Sequence, residues 1–203
     1  MWLLIVVSLA WAFSFGLIKG VLTGVDSNFV SLARMFFSLL VFLPFIKFKR
    51  IERKLAFRLA ITGILQFGMM YIAYIASFKL LSAYEVALFT VFTPIYLTLI
   101  DDAFQKKFNA LYLITAILAV VGTWIIKRVD ALSSNFFTGF LLVQISNICF
   151  AAGQVYYRRI MREYKNLQDK DVFGYLYLGA VIITLVATLI FTPISSISLN
   201  AKQ

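Results

Sequence analysis

The sequence predicts an all-α integral membrane protein with about seven transmembrane helices. Three observations carry this reading. First, 62% of the 203 residues are hydrophobic and only 14% are charged, too few polar groups to cover a water-soluble surface. Second, the mean hydropathy is +0.92. Third, the apolar residues gather into blocks of near membrane-spanning length, with Lys and Arg between them. Backbone groups in hydrocarbon need internal partners, so each block is expected to be helical.

The blocks run over 2–18, 28–46, 59–78, 85–100, 108–126, 136–157 and 172–192. The first lacks a positive leader and a small-residue cleavage site, so it reads as a membrane helix rather than a secretion signal. The second contains Arg34. Without the residues before Arg34, only Met35–Ile46 would remain, roughly 18 Å of helix against about 30 Å of hydrocarbon. Arg34 is therefore expected within the outer part of the membrane, either facing a cavity or partner or snorkelling outward. The third block carries Gln66, Tyr71 and Tyr74. The fourth is short, which draws Glu85 or Asp101 inward; Pro94 within it predicts a kink. Glu85 shares the predicted side of Arg34 and Lys79, and either pairing is open. The sixth block places Gln144, Asn147 and Gln154 along one amide-lined face. That stripe suits either a pathway or hydrogen bonds between helices. Gly16-xxx-Gly20-xxx-Gly24 is a pattern that permits close helix approach.

Basic residues set the expected topology. Lys47, Lys49, Arg50, Arg53, Lys54, Arg58, Lys106, Lys107, Arg158, Arg159, Arg162, Lys165 and Lys170 fall on one side, thirteen in all. Only Lys19, Lys79, Lys127, Arg128 and Lys202 fall on the other. The positive-inside bias predicts a cytoplasmic N-terminus and an external C-terminus. The net charge of +10 is thus read as topology and anionic lipid contact, not nucleic-acid binding.

Chemistry-bearing motifs are sparse. Histidine is absent and Cys149 is the single cysteine, so a cysteine cluster for metal and an intrachain disulfide are excluded. No G-x-S-x-G, H-E-x-x-H or P-loop occurs. Asp101-Asp102 sits beside Lys106 and Lys107 and reads as a solvated helix end. An enzyme is not expected, and neither is a cofactor. The expected partners are the lipid bilayer and a small molecule.

The stretch Ala73–Tyr96, with a small-residue run, a short turn and a helix carrying Pro94, resembles the third-to-fourth helix region of EamA-type transporters of the drug/metabolite transporter superfamily. Trp11-Ala12-Phe13-Ser14-Phe15 resembles the first-helix segment of that family, and Leu32-Ala33-Arg34 its second-helix entry. Tyr84-Glu85-Val86-Ala87-Leu88 is most similar to the carboxylate, amino-acid and amine subgroup. The resemblance implies two inverted five-helix repeats, here residues 1–127 and the first two helices of a second copy at 136–192, followed by a polar tail at 193–203. Phe13-Ser14-Phe15-Gly16 and Phe150-Ala151-Ala152-Gly153 form a weak internal echo of that plan. The second copy is thus incomplete, three helices short of the ten-helix plan, and the resemblance implies that a homodimer or partner chain completes the pathway for a small-molecule metabolite. The region Asp101–Lys107 departs from the Glu-Arg pair of the family. The resemblance implies alternating-access transport of a small metabolite across the bacterial inner membrane. Arg34 and Glu85 would recognise charge, and Trp11, Gln66, Tyr74 and Asn147 would line the cavity. The competing expectation is a non-transporting assembly component or inactive remnant.

Overall fold

The computed structural model describes residues 2–47, 51–106 and 134–192, with isolated positions between 110 and 121. Among the described residues there is no strand, and six helices are long and apolar enough to cross a membrane. The fifth apolar block, at 108–126, lies largely outside the described residues, as does the tail after Thr192.

The first span is α1, Trp2–Gly20. Lys19 at its end donates to the Phe78 carbonyl at 2.7 Å. The second is α2, Ser27–Phe42, closed by a 3₁₀ turn at Leu43–Phe45 that holds Pro44. Asp26 caps α2, accepting from the backbone N–H groups of Asn28 at 2.9 Å and Phe29 at 3.1 Å. The same carboxylate accepts from Thr192 Oγ1 at 2.6 Å, tying the start of α2 to the end of the last helix. Burial pushes the Asp26 carboxyl up, but Thr192, the two backbone donors and the Lys79 ammonium outweigh it and hold it below its ordinary value. The stabilisation is therefore present above the unfolded carboxylate range and lost as pH falls from there through the lowered folded value. Asp26→Ala should cost about 1 kcal/mol as a lost cap. Thermal melts in detergent should show that deficit at neutral pH and a smaller one in acid.

The third span runs without interruption from α3, Arg53–Gly63, through a π-helical stretch, Ile64–Met69, into α4, Met70–Ser77. The fourth comprises α5, Ala83–Phe89, a 3₁₀ turn, Thr90–Phe92, and α6, Thr93–Gln105. Lys106 ends it in the left-handed region at φ 52°. The long α7, Ser134–Glu163, and α8, Asp169–Phe191, complete the described set. Several of these helices extend past the apolar blocks. Arg53, Lys54 and Arg58 belong to the start of α3, and Arg158–Arg162 to the end of α7. Long basic side chains keep their heads in water while their stems follow the helix through the interface. The fourth span gains five residues beyond Ile100 and reaches 23 residues, enough to cross.

Helices α2 and α3 pack on α8, whereas α4 and α6 pack on α7. Two apolar cores result. One gathers Ile18, Val30, Phe78, Leu81, Val86 and Val143. The other gathers Leu55, Leu59, Tyr157, Ile160, Val172 and Leu176. Ion pairs join the ends of the bundle near the second core. Lys47 meets Asp171 at 2.6 Å, Arg58 meets Glu163 at 2.6 Å, and Arg159 lies 3.7 Å from Asp101. Asp101 thus faces a basic partner on α7 instead of standing as a purely solvated helix end.

The expected glycine seam on α1 is not used for packing. A Cβ at Gly16 or Gly20 would meet nothing within 4 Å. Close approaches occur elsewhere, among them Gly63, Gly153 and Gly179, where a Cβ would fall 1.8, 2.4 and 2.0 Å from the neighbouring helix. Small residues alone do not distinguish a lipid-facing stripe from a seam.

Candidate substrate site

Arg34 lies seven residues into the span that begins at Ser27, so its Cα is about 10 Å from that end of the helix. Its side chain turns into the bundle. Nη2 donates to Ser14 Oγ at 3.3 Å and to Tyr71 Oη at 3.4 Å, and the guanidinium carbon is 5.1 Å from the Tyr71 ring centroid. Among the described residues no carboxylate pairs with it. The arrangement matches the inward alternative for Arg34, because its partners sit on α1 and α4 at membrane depth. An arginine there keeps a strong demand for an anion. Ser14 is marked in the sequence only by the Trp11–Phe15 and Phe13–Gly16 segments, neither of which identifies it as a partner of Arg34.

Tyr71 leads to an aromatic wall. Tyr74 meets Tyr71 edge-on at 5.8 Å, Phe78 at 5.1 Å and Phe15 at 5.9 Å. Such edge-to-face pairs fix ring orientation. Phe15 also lines an open groove of about 480 Å³ between α1 and α5, together with Trp11, Gly16, Tyr84 and Thr90. Trp11 is 63% exposed there. The structure thus brings Arg34, Tyr74 and Trp11 into one neighbourhood, linked through Tyr71 and Phe15.

Gln66 lies five residues deeper on the same span, inside the π-helical stretch. The wider π turn presents a residue away from the regular helical register, a geometry frequent at functional sites. Gln66 is only 4% exposed. Its Nε2 donates to Gln154 Oε1 at 2.6 Å, while its own Oε1 is buried with no hydrogen-bond partner. An unmet buried acceptor costs about 1–3 kcal/mol. Gly153 makes the approach of α7 feasible, since its Cβ would overlap Gln66.

Asn147 belongs to a second network. The 3₁₀ turn at Thr90–Phe92 directs the Thr93 N–H to the Thr90 carbonyl. Asn147 Nδ2 donates to the Phe89 carbonyl at 2.9 Å, and its Oδ1 accepts from Thr93 at 3.2 Å. The break expected from Pro94 is therefore present and bridged from α7. Gln144 Oε1 accepts from Tyr96 at 3.1 Å and from Asn147 at 3.3 Å; its Nε2 is buried without a partner. The amide face of α7 is thus a hydrogen-bonded contact at each residue, and unmet capacity remains at one of its members, Gln144 Nε2, and at one neighbour, Gln66 Oε1. Tyr96 and Gln154 complete contacts that no local pattern identified, because their partners lie 48 and 88 residues away.

Glu85 has a local role. Ser82 Oγ accepts from the Glu85 N–H at 3.2 Å, and Glu85 Oε2 accepts from the Ser82 N–H at 2.8 Å. This reciprocal capping box starts α5. Ser82 and Glu85 are spaced as that motif requires, so the signal was in the sequence.

A bundle of membrane-crossing helices with a cation, aromatic rings and amides held at membrane depth defines a multi-pass membrane protein with an internal polar site. The model of the EamA-like transporter family matches residues 1–128, and the chain belongs to that family. It is similar to the "Probable biotin transporter" of Pseudomonas aeruginosa, with 43% identity over 190 residues, covering 93% of this chain and 66% of the relative. It is also similar to the "Biotin transporter" of Salmonella typhimurium and of Escherichia coli K12. Each is 41% identical over 187 residues, covering 91% of this chain and 62% of the relative. The chain therefore spans a little under two thirds of the length of these relatives. No solved structure matches it.

Proposed function

We propose that this chain forms most of a small-molecule transporter whose substrate is biotin or a closely similar carboxylate. The observation that carries the reading is Arg34, a guanidinium turned into the bundle with only neutral partners, Ser14 and Tyr71. Of amino acids, amines and carboxylates, a carboxylate best completes such a site, because it accepts the guanidinium fork and supplies the missing charge. The names of the relatives supply the particular acid. Tyr71, Tyr74 and Phe15 offer rings on which an apolar bicycle can rest.

Residues 1–127 make up a first repeat, and 136–192 begin a second, inverted one. Substrate would bind between the repeats and be released by rocking of one against the other. The thirteen-to-five distribution of basic residues supports a cytoplasmic N-terminus in the inner membrane, with the Lys47, Arg58 and Arg159 ion pairs at the cytoplasmic face. The test is uptake of radiolabelled biotin into proteoliposomes containing the chain. Saturable accumulation, reduced by excess unlabelled biotin, is expected. No uptake and no binding of biotin by the folded protein would overturn the proposal.

A further inference from the structure

We infer that Gln66, together with Gln154, is the specificity-determining contact for the cyclic urea of the substrate, and that Arg34 takes the carboxylate at the other end. The inference rests on the reading of biotin as substrate. A cyclic urea presents an N–H donor beside a carbonyl acceptor. The paired amides present the complement, since Gln66 Nε2 is engaged by Gln154 Oε1, leaving Gln66 Oε1 as an acceptor without a partner. Gln154 carries an amide N–H pair on the same group whose Oε1 Gln66 engages. A urea N–H donating to Gln66 Oε1 while its carbonyl accepts from Gln154 Nε2 would satisfy both sides. A fatty acid of the same length could not.

The spacing agrees. Arg34 contacts Tyr71, and Gln66 precedes Tyr71 by five residues on one continuous span. At the helical rise this is roughly 7 Å between backbone positions along the axis, which puts the two polar groups on neighbouring turns of one span, within reach of the two ends of one small molecule. The aromatic residues Tyr71 and Tyr74 flank the upper part of that path. In this structure Gln66 is packed against Gly153, so the urea enters when α3 and α4 separate from α7. Closure around the substrate then replaces part of that contact.

The experiment measures equilibrium binding of biotin, 2-iminobiotin and biotin methyl ester to purified chain. In 2-iminobiotin the urea oxygen is replaced by an imine nitrogen, giving a cationic cyclic guanidine when protonated. Gln66→Glu keeps an acceptor for the urea N–H but adds an anion and loses the Nε2 donor to Gln154, so it should raise the preference for protonated 2-iminobiotin over biotin by at least tenfold. Gln66→Met, apolar and similar in length, should weaken biotin and its methyl ester by the same factor, because the urea contact is shared by both. An unchanged preference in the folded Gln66→Glu protein would overturn the inference, as would equal loss of all three ligands. Should Gln66→Glu fail to fold, undiminished biotin binding by Gln66→Met would overturn it. If the wild-type chain binds no biotin, the parent reading fails and this one fails with it. Binding by wild type with no effect at Gln66 removes this inference alone.

Discussion

Replacing Arg34 with alanine is expected to weaken biotin uptake by at least tenfold while the protein still inserts and remains folded. Hydrogen bonds to a charged group contribute about 1.5–3 kcal/mol, and each 1.4 kcal/mol is about a factor of ten. The loss should appear chiefly in KM, because an ionic anchor holds the substrate in every state that carries it. Arg34→Lys keeps the charge but not the planar fork that grips two carboxylate oxygens, so it should fall between wild type and alanine. Biotin methyl ester separates recognition from scaffolding. It lacks the anion, so its binding should change little when Arg34 is lost. If the ester and the acid weaken equally in Arg34→Ala, the arginine supports the helices through Ser14 and Tyr71 and the carboxylate assignment fails. Tyr71→Phe removes one of the two neutral acceptors without touching the charge, and its effect should be much smaller than that of Arg34→Ala.

Most of the fold was legible because hydrocarbon imposes long apolar helices. The break at Thr90–Phe92 was legible from Pro94. The depth of Arg34 followed from a length argument, since twelve residues cannot cross. The site was only partly legible. Its residue types stood out because polar groups are rare in a membrane, but their partners did not. Gln66 and Gln154 meet across 88 positions, and no local period encodes which helix faces which. Asn147 answers a backbone carbonyl at Phe89, a need that exists only once the turn beside Pro94 has formed. Glu85 was weighed as a charge partner from its sidedness, whereas the Ser82 spacing pointed to the cap that the structure forms. A carboxylate three residues after a serine at a helix start has the spacing of a capping box.

Introducing leucine at Gly63 is expected to abolish the folded state, and Gly179→Leu to do the same. The two glycines form a reciprocal contact between α3 and α8. A Cβ on Gly63 would stand 1.8 Å from the Leu176 carbonyl oxygen and 2.6 Å from the Leu176 Cα. A Cβ on Gly179 would stand 2.0 Å from the Ala60 carbonyl oxygen. All of these obstacles are backbone, so no rotamer change relieves them, and the helices must separate. Overpacking a tight contact costs about 1–3 kcal/mol when side chains can yield; here two helices lose their seam, and the effect should exceed that range. In membranes this matters doubly, because apolar burial gives no drive to helix association and close packing must supply it. Gly16→Ala is the control. Its Cβ meets nothing within 4 Å, and alanine favours a helix over glycine by about 1 kcal/mol, so that variant should melt at or above the wild-type temperature. Size-exclusion profiles and thermal melts in detergent read both outcomes. A Gly63→Leu protein that melts within a degree of wild type would show that α3 and α8 do not meet along this seam, and the placement of Gln66 one turn away would fall with it.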